Sequence, residues 1–406
     1  MNHSETYSSP YVATSRWLLL ICLTIAGIGQ SFVFTSLPPI GREIGLSDVR
    51  ISTLITAGAA TFVVASFFWG GIINRIGRVR AVIIGMSSYA LTISATGFVL
   101  QNALQGHFTA QQTYLMVFSL RIIFSMGIAG ILPSIQTYLI AHTDIKQRSA
   151  TIALIGASFS MGMILGPAFA ALLSNLGLTV PFYIIGILAG CASLLVALYT
   201  KDGKHVRQLE KPARINWLTQ PVMPFLCMST LALLSVTGIQ QIMGFLIQDR
   251  FHLDVVQTTH QLGAAMMTMS CFSILVQLIL VPRFKLGVVT LIFAGVSVGI
   301  FAHCVFLFWQ SLFGVFVAMA LFGAGFGFLF PGIITAQTLL VKDDQQSRLA
   351  SMNASMQGLG AALGPVIMAS FYQLGQAVPF LALILSLVGM CCVFVYCRAK
   401  FGAAFD

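Results

Sequence analysis

Apolar runs separated by short polar breaks recur along the whole chain. They read as spans at 17–40, 52–73, 81–101, 114–140, 150–174 and 179–200, then 218–247, 260–282, 288–308, 311–340, 351–373 and 377–397. A helix crosses the hydrocarbon of a bilayer in about 20 residues, so each run is long enough to span it. Six runs precede the one long internal stretch that is polar and basic, Lys201 to Asn216, and six follow it. The pattern predicts an all-α polytopic membrane protein with twelve transmembrane helices in two pseudo-symmetric six-helix halves. Its parts are an N-terminal segment 1–16, a first half 17–200, a linker 201–217, a second half 218–397 and a tail 398–406.

The halves are related in sequence. LGLTVPF at Leu176 to Phe182 recurs as LGQAVPF at Leu374 to Phe380, 198 positions later, and the same offset carries Gly166-Pro167 onto Gly364-Pro365 and Pro133 onto Pro331. Nearer the start of each half the offset grows to 210, where Arg75-Ile76-Gly77 pairs with Lys285-Leu286-Gly287. The first half is therefore longer by about twelve residues, matching the loop Gln101 to Gln112, which lacks a counterpart. Internal repeats of this kind are how many transporters build a substrate site near the bilayer midplane.

Composition agrees: 57% of residues are hydrophobic and 8% charged, against the roughly 25% charged typical of soluble domains. Charge also predicts orientation. Arg16; Arg75, Arg78 and Arg80; Lys146 and Arg148; Lys201, Lys204, Arg207, Lys211 and Arg214; Arg283 and Lys285; Lys342 and Arg348; and Arg398 and Lys400 share one side. Only Arg42, Arg50 and Arg250 fall on the other. By the positive-inside rule both termini are cytoplasmic. The net charge of +10 follows from this asymmetry and gives no reason to expect nucleic acid as a partner. The first apolar run follows a polar segment without a small-residue cleavage site and reads as an uncleaved span. The eight cysteines lie inside spans without metal-ligand spacing, so neither a disulfide framework, a metal site nor a cofactor is expected. The outer loops carry no N-x-S/T sequon, which points to a bacterial inner membrane.

Local motifs sharpen the reading. The turn after the second span is GGIINRIGRVR, the fourth span contains RIIFSMGIAG, and the fifth contains GMILGPAFA. These resemble signatures of the major facilitator superfamily, and within it of the twelve-helix drug-proton antiporters. Gly70, Arg75, Gly77, Arg78 and Arg80 match the signature loop, Arg121 and Gly127 a second signature, and Gly162, Gly166 and Pro167 the antiporter signature. The resemblance implies a loop that latches the halves together on the cytoplasmic side; a topogenic basic loop is the plainer reading. Asn74 stands where the family has an acidic residue, and a neutral amide cannot pair as an anion with Arg78 or Arg348. Gly162 and Gly166, like Gly360 and Gly364, lie four apart on one helix face, where small residues allow close approach. Pro167 and Pro365 each remove a backbone hydrogen bond and permit a bend. The resemblance implies that these bends seal the route through the protein; close packing is the alternative.

Arg121 is the one Lys, Arg, Asp or Glu well inside a span, where a charge costs at least about 2.5 kcal/mol unless paired or facing a wet cavity. Helical spacing places Ser125, Ile128, Leu132 and Gln136 near its face, predicting a polar stripe at Arg121, Ser125 and Gln136. Bracing by backbone carbonyls is the other reading. The eleven acidic residues all lie in loops, termini or span ends. Candidate proton carriers are therefore Asp249, His252 and His260, with Glu43 and Asp48, while His303 reads chiefly as a buried packer. The remaining cavity candidates are amides with aromatics: Gln30 with Phe34, Gln240 and Gln241 with Phe245, Gln277, Gln337, and Asn353 with Gln357. GIGQ and GIQQ place Gln30 and Gln241 at equivalent positions in the repeat. Gln277 and Gln337 fit helix-to-helix bonding equally well.

The leading expectation is a secondary transporter exporting amphipathic small molecules by alternating access, driven by protons, as a monomer. A dedicated carrier of an anionic metabolite or metal chelator such as a siderophore stays open, because Arg121 lacks a carboxylate nearby in sequence. An enzyme is not expected, since no nucleophile motif or clustered His, Asp and Glu is present, and no nucleotide-binding loop suggests ATP as the driving force.

Overall fold

The structure is a computed structural model describing residues 10–143, 147–202, 221–341 and 345–401. Most of the linker, together with Lys146 and Lys342, lies outside the described residues. Every regular element among those described is helical: α1 (Pro10–Glu43), α2 (Asp48–Ile76), α3 (Arg78–Leu104), α4 (Ala110–Ile128), α5 (Ile131–Ala141), α6 (Arg148–Leu173), α7 (Val180–Tyr199), α8 (Met223–Phe251), α9 (Val255–Leu275), α10 (Val281–Phe284), α11 (Val288–Phe308), α12 (Leu312–Leu339), α13 (Gln346–Leu374) and α14 (Val378–Phe401). With α4 and α5 forming one span, and α9 and α10 another, twelve are long and apolar enough to cross a membrane. Large apolar side chains such as Phe67, Leu91, Leu194, Phe308 and Leu385 stand exposed on the outer surface, as a lipid-facing surface requires.

Helix starts follow local chemistry. Ser47 caps α2 by accepting from the Arg50 amide, Thr109 and Gln112 form a reciprocal capping box on α4, and Asp254 accepts from the Gln257 amide at 2.7 Å to open α9. The repeated LGxxVPF segments are turns. Gly177 and Gly375 end one helix at φ +133° and +157°, and Pro181 and Pro379 sit in the first turn of α7 and α14, where a missing N–H costs nothing.

The chain divides into two compact units, Met1–Leu209 and Glu210–Asp406. In unit 1 the principal helix pairs are α1 with α6 and α3 with α7; in unit 2 they are α8 with α13 and α11 with α12. Glycine explains the α1–α6 and α8–α13 pairs. A methyl group on Gly162 would meet the Thr24 carbonyl and the Ile28 amide, and one on Gly166 would meet Ser31 and the Ile28 carbonyl. In unit 2, methyl groups on Gly360 and Gly364 would strike the carbonyls of Thr230 and Leu234. Backbone thus rests on backbone, and cross-helix bonds such as Thr24 Oγ1 donating to the Ser158 carbonyl at 3.0 Å add to the contact. Both α6 and α13 run unbroken through Pro167 and Pro365.

Candidate functional site

The fourth span breaks where hydropathy gave no sign of it. α4 stops at Ile128 and α5 begins at Ile131. Trp69 of α2 occupies the break: its indole N–H donates to the Met126 carbonyl at 2.6 Å, and a side chain on Gly130 would run into its ring. The carbonyl freed from the helical ladder thus finds a partner. Gly127 packs α4 against α3, where a methyl would meet Ser88. The break separates Gln136, half-buried on α5, from Arg121 and Ser125 on α4, so the anticipated stripe does not run as one continuous helix face.

Arg121 itself is buried, at 5% exposure. Its guanidinium lies over the Phe124 ring at 5.1 Å and against Gly58 of α2, where a methyl carbon would come 2.8 Å from Nη2. Nε has no hydrogen-bond partner, and among the described residues no carboxylate pairs with the group. Phe124 packs edge-on to Tyr89 with ring centroids 5.1 Å apart, and the Tyr89 hydroxyl donates to the Ile25 carbonyl of α1 at 3.3 Å. A contact chain therefore runs from the cation through two aromatic rings to α1. Arg121 also lines a narrow cleft with Leu37, Thr92, Thr96, Phe124 and Phe182. In this conformation the cleft admits little more than water, so an organic substrate needs it to open.

The other anticipated residues are dispersed. Gln30, Gln240 and Gln357 are half-buried, while Phe34 is buried at 7% exposure. Phe245 is fully buried, with its ring 6.2 Å from that of Tyr372. Gln241 is fully buried, and among the described residues neither of its amide atoms has a partner. Gln337 is a bridging amide, donating to the Phe225 carbonyl, Ser229 Oγ and Asn353 Oδ1 at 2.9–3.1 Å, and Gln277 bonds Ser273 on its own span. Asp48 is held by Arg42 through two contacts of 2.7 and 2.8 Å, and Asp249 accepts from the Tyr372 hydroxyl at 2.8 Å. His252, His260 and Glu43 are exposed.

In the turn between α2 and α3, Gly77 serves both helices at φ +96°, a conformation that penalises any other residue. Asn74, Arg75 and Arg80 are exposed, and a side chain on Gly70 would meet open space. The carboxylate in this turn comes from elsewhere: Asp202 Oδ1, just past α7, accepts from the amides of Arg78 and Val79 at 2.9 Å each. It caps the positive end of α3. Asp202, Trp69 and Gly58 were not anticipated, and no local sequence signal marks them, because their partners lie on other helices.

Comparison with known proteins agrees with this architecture. The chain is 21% identical to multidrug resistance protein 2 of Bacillus subtilis (strain 168), with 95% of this chain and 96% of that protein covered. It is also 21% identical to the quinolone resistance protein NorA of Staphylococcus aureus (strain MSSA476), with 92% and 94% covered. Its fold resembles an inward-facing, unoccupied bacterial homologue of the human lysosomal transporter Spinster, with a TM-score of 0.77 at 14% identity over 98% of this chain and 99% of that one. The profile of the Major Facilitator Superfamily matches residues 19–304, and the chain belongs to that superfamily of secondary membrane transporters.

Proposed function

We propose that this transporter exports amphipathic small organic molecules by alternating access, with protons moving inward in exchange. The observation that carries the reading is the Arg121 cleft: aliphatic and aromatic walls with two threonine hydroxyls and one guanidinium whose Nε is unpartnered. Such a lining suits a flat, largely apolar molecule with a polar end. The full-length similarity to two proteins named for drug resistance supports the same class. Gln30, Gln136, Gln240 and Gln357 are half-buried amides able to contact substrate when the protein opens, and Gln241 is an amide whose hydrogen bonds are still to be made. The helix pairs built on Gly162 and Gly166, and on Gly360 and Gly364, stay close-packed, and Pro167 and Pro365, each lacking a backbone donor, let α6 and α13 bend to seal the route during the cycle. Gly70, Asn74, Arg75, Gly77, Arg78 and Arg80 form the cytoplasmic gate, anchored by Asp202. The protein works as a monomer in a bacterial inner membrane with both termini cytoplasmic, a placement supported by the charge asymmetry.

A second reading has its own support. Because Arg121 meets no carboxylate among the described residues, a substrate anion is a natural counter-charge, and the cargo is then an anionic metabolite or chelator. One experiment separates the two. Efflux-deficient bacteria expressing the protein are loaded with cationic dyes, neutral drugs and anionic chelators, and retention is followed with and without a protonophore. Protonophore-sensitive loss of cationic or neutral dyes is expected. Retention that changes only for anionic compounds, and only with Arg121 intact, overturns the first reading in favour of the second.

A further inference from the structure

Unit 2 holds a buried imidazole in the place where unit 1 has only packing. His303 of α11 has no exposed surface. Its Nδ1 lies 2.6 Å from the Gly299 carbonyl oxygen, which can only accept, so Nδ1 donates; in the neutral imidazole Nε2 is then the acceptor nitrogen. Nε2 has no partner. Phe306, Phe322 and Phe380 surround the ring at centroid distances of 6.4, 5.6 and 6.3 Å and hold its orientation. The imidazole lines a narrow cavity enclosed by α8, α11, α12 and α14, with Ser235, Phe326 and Leu387 among its walls.

Packing alone does not call for histidine here. The 210-residue offset pairs His303 with Ile93, an aliphatic residue that fills the corresponding wall of the unit 1 cleft. Nor is the ring part of a polar network. α8, α12 and α14 present no titratable or charged side chain to the cavity among the described residues, and the Ser235 hydroxyl is committed to the Leu231 carbonyl at 2.7 Å. Cys304 and Cys391 lie on α11 and α14 but do not line the cavity. The charge that does reach α11 is Arg250, whose guanidinium donates to the Phe306 carbonyl at 3.0 Å, beyond His303 along the helix. Asp249, its neighbour, accepts from Tyr372.

We propose that His303 is a proton-binding residue of the transport cycle. Nε2 accepts a proton when water enters the cavity in another conformation and returns it to water before the cavity narrows to the state described here. This deepens the proton-driven reading above and rests on it. Histidine is the side chain whose ordinary titration spans neutral pH, whereas the Arg121 guanidinium does not readily give up its proton.

The test uses the full-length protein in lipid vesicles. Histidine 15N resonances are followed from pH 5 to 9 in the wild type and in His303→Gln, the lost signal identifying His303. A shift from neutral imidazole to imidazolium within that range is expected, and a flat response overturns the proposal whatever the substrate. In parallel, vesicles carrying a pH gradient are assayed with ethidium as the probe. His303→Gln is expected to let ethidium equilibrate downhill at the wild-type rate while accumulating at least tenfold less against its gradient. Wild-type accumulation by the variant overturns the proposal, and so does loss of downhill movement with an unchanged melting midpoint. A wild-type protein that moves no ethidium under any gradient defeats the exporter reading instead, and the resonance titration still decides the histidine. Should His303→Gln fail to assemble, His303→Ile, which copies Ile93, enters the same assays.

Discussion

The same four-helix core occurs once in each unit, and the two versions differ at the polar positions. The 198-residue offset carries Phe124 onto Phe322 and Phe182 onto Phe380, and all four rings stand in or beside the corresponding cavities. Yet the offset carries Arg121 onto Met319, and the 210-residue offset carries Ile93 onto His303. Unit 1 therefore buries a guanidinium, and unit 2 an imidazole whose Nδ1 donates to backbone. Duplication has preserved the aromatic scaffold and the glycine-spaced helix pairs, which depend on shape, and has let the two polar centres diverge. Where two halves share a scaffold, function is best sought where they differ.

The comparison breaks first at the glycines. Gly162→Val and Gly364→Val push a branched side chain against backbone, at a cost of about 1–3 kcal/mol or more, so the melting midpoint and the membrane abundance fall in either half. Membrane abundance and melting in detergent read this; equal survival of both variants would show that the contacts are not tight. Next comes the cation. Arg121→Met, which copies the residue of unit 2, is expected to keep wild-type abundance while cutting transport at least tenfold in the retention assay. A fall in abundance would assign Arg121 to bracing. The reverse exchange, Met319→Arg, buries a charge with no partner and is expected to cost at least about 2.5 kcal/mol, read as a lower melting midpoint.

The helix caps offer a finer contrast. Asp202 caps α3, while its counterpart α11, which follows Gly287, has no side-chain cap among the described residues. Asp202→Ala is expected to lower stability by about 0.5–2 kcal/mol, seen as a melting midpoint a few degrees lower. No change would mean that solvent satisfies the freed amides equally well. Smallest is Tyr372→Phe, which removes one hydrogen bond to Asp249 and is expected to cost about 0.5–1.5 kcal/mol.

Much of this architecture was legible in the residues. Span number and the superfamily followed from hydropathy, the repeat and the glycine-rich motifs, because a bilayer demands uniform apolar length and turns demand particular residues. That Arg121 stands apart was legible for the same reason: a charge at that depth is an exception. Its surroundings were not. The stripe toward Gln136 assumed an unbroken helix, and the break at Ala129 and Gly130 is set by Trp69, some sixty residues away in sequence.

Sequence by itself determined where the membrane-crossing helices lie, that the halves are related, and which charge is out of place, since each depends on local composition and spacing. Tertiary structure alone decided what that charge touches, that a carboxylate from beyond α7 caps α3, and that His303 keeps an unpartnered nitrogen on a cavity. Those are contacts between helices far apart in the chain, and the residues making them carry no mark of their partners until packing brings them together.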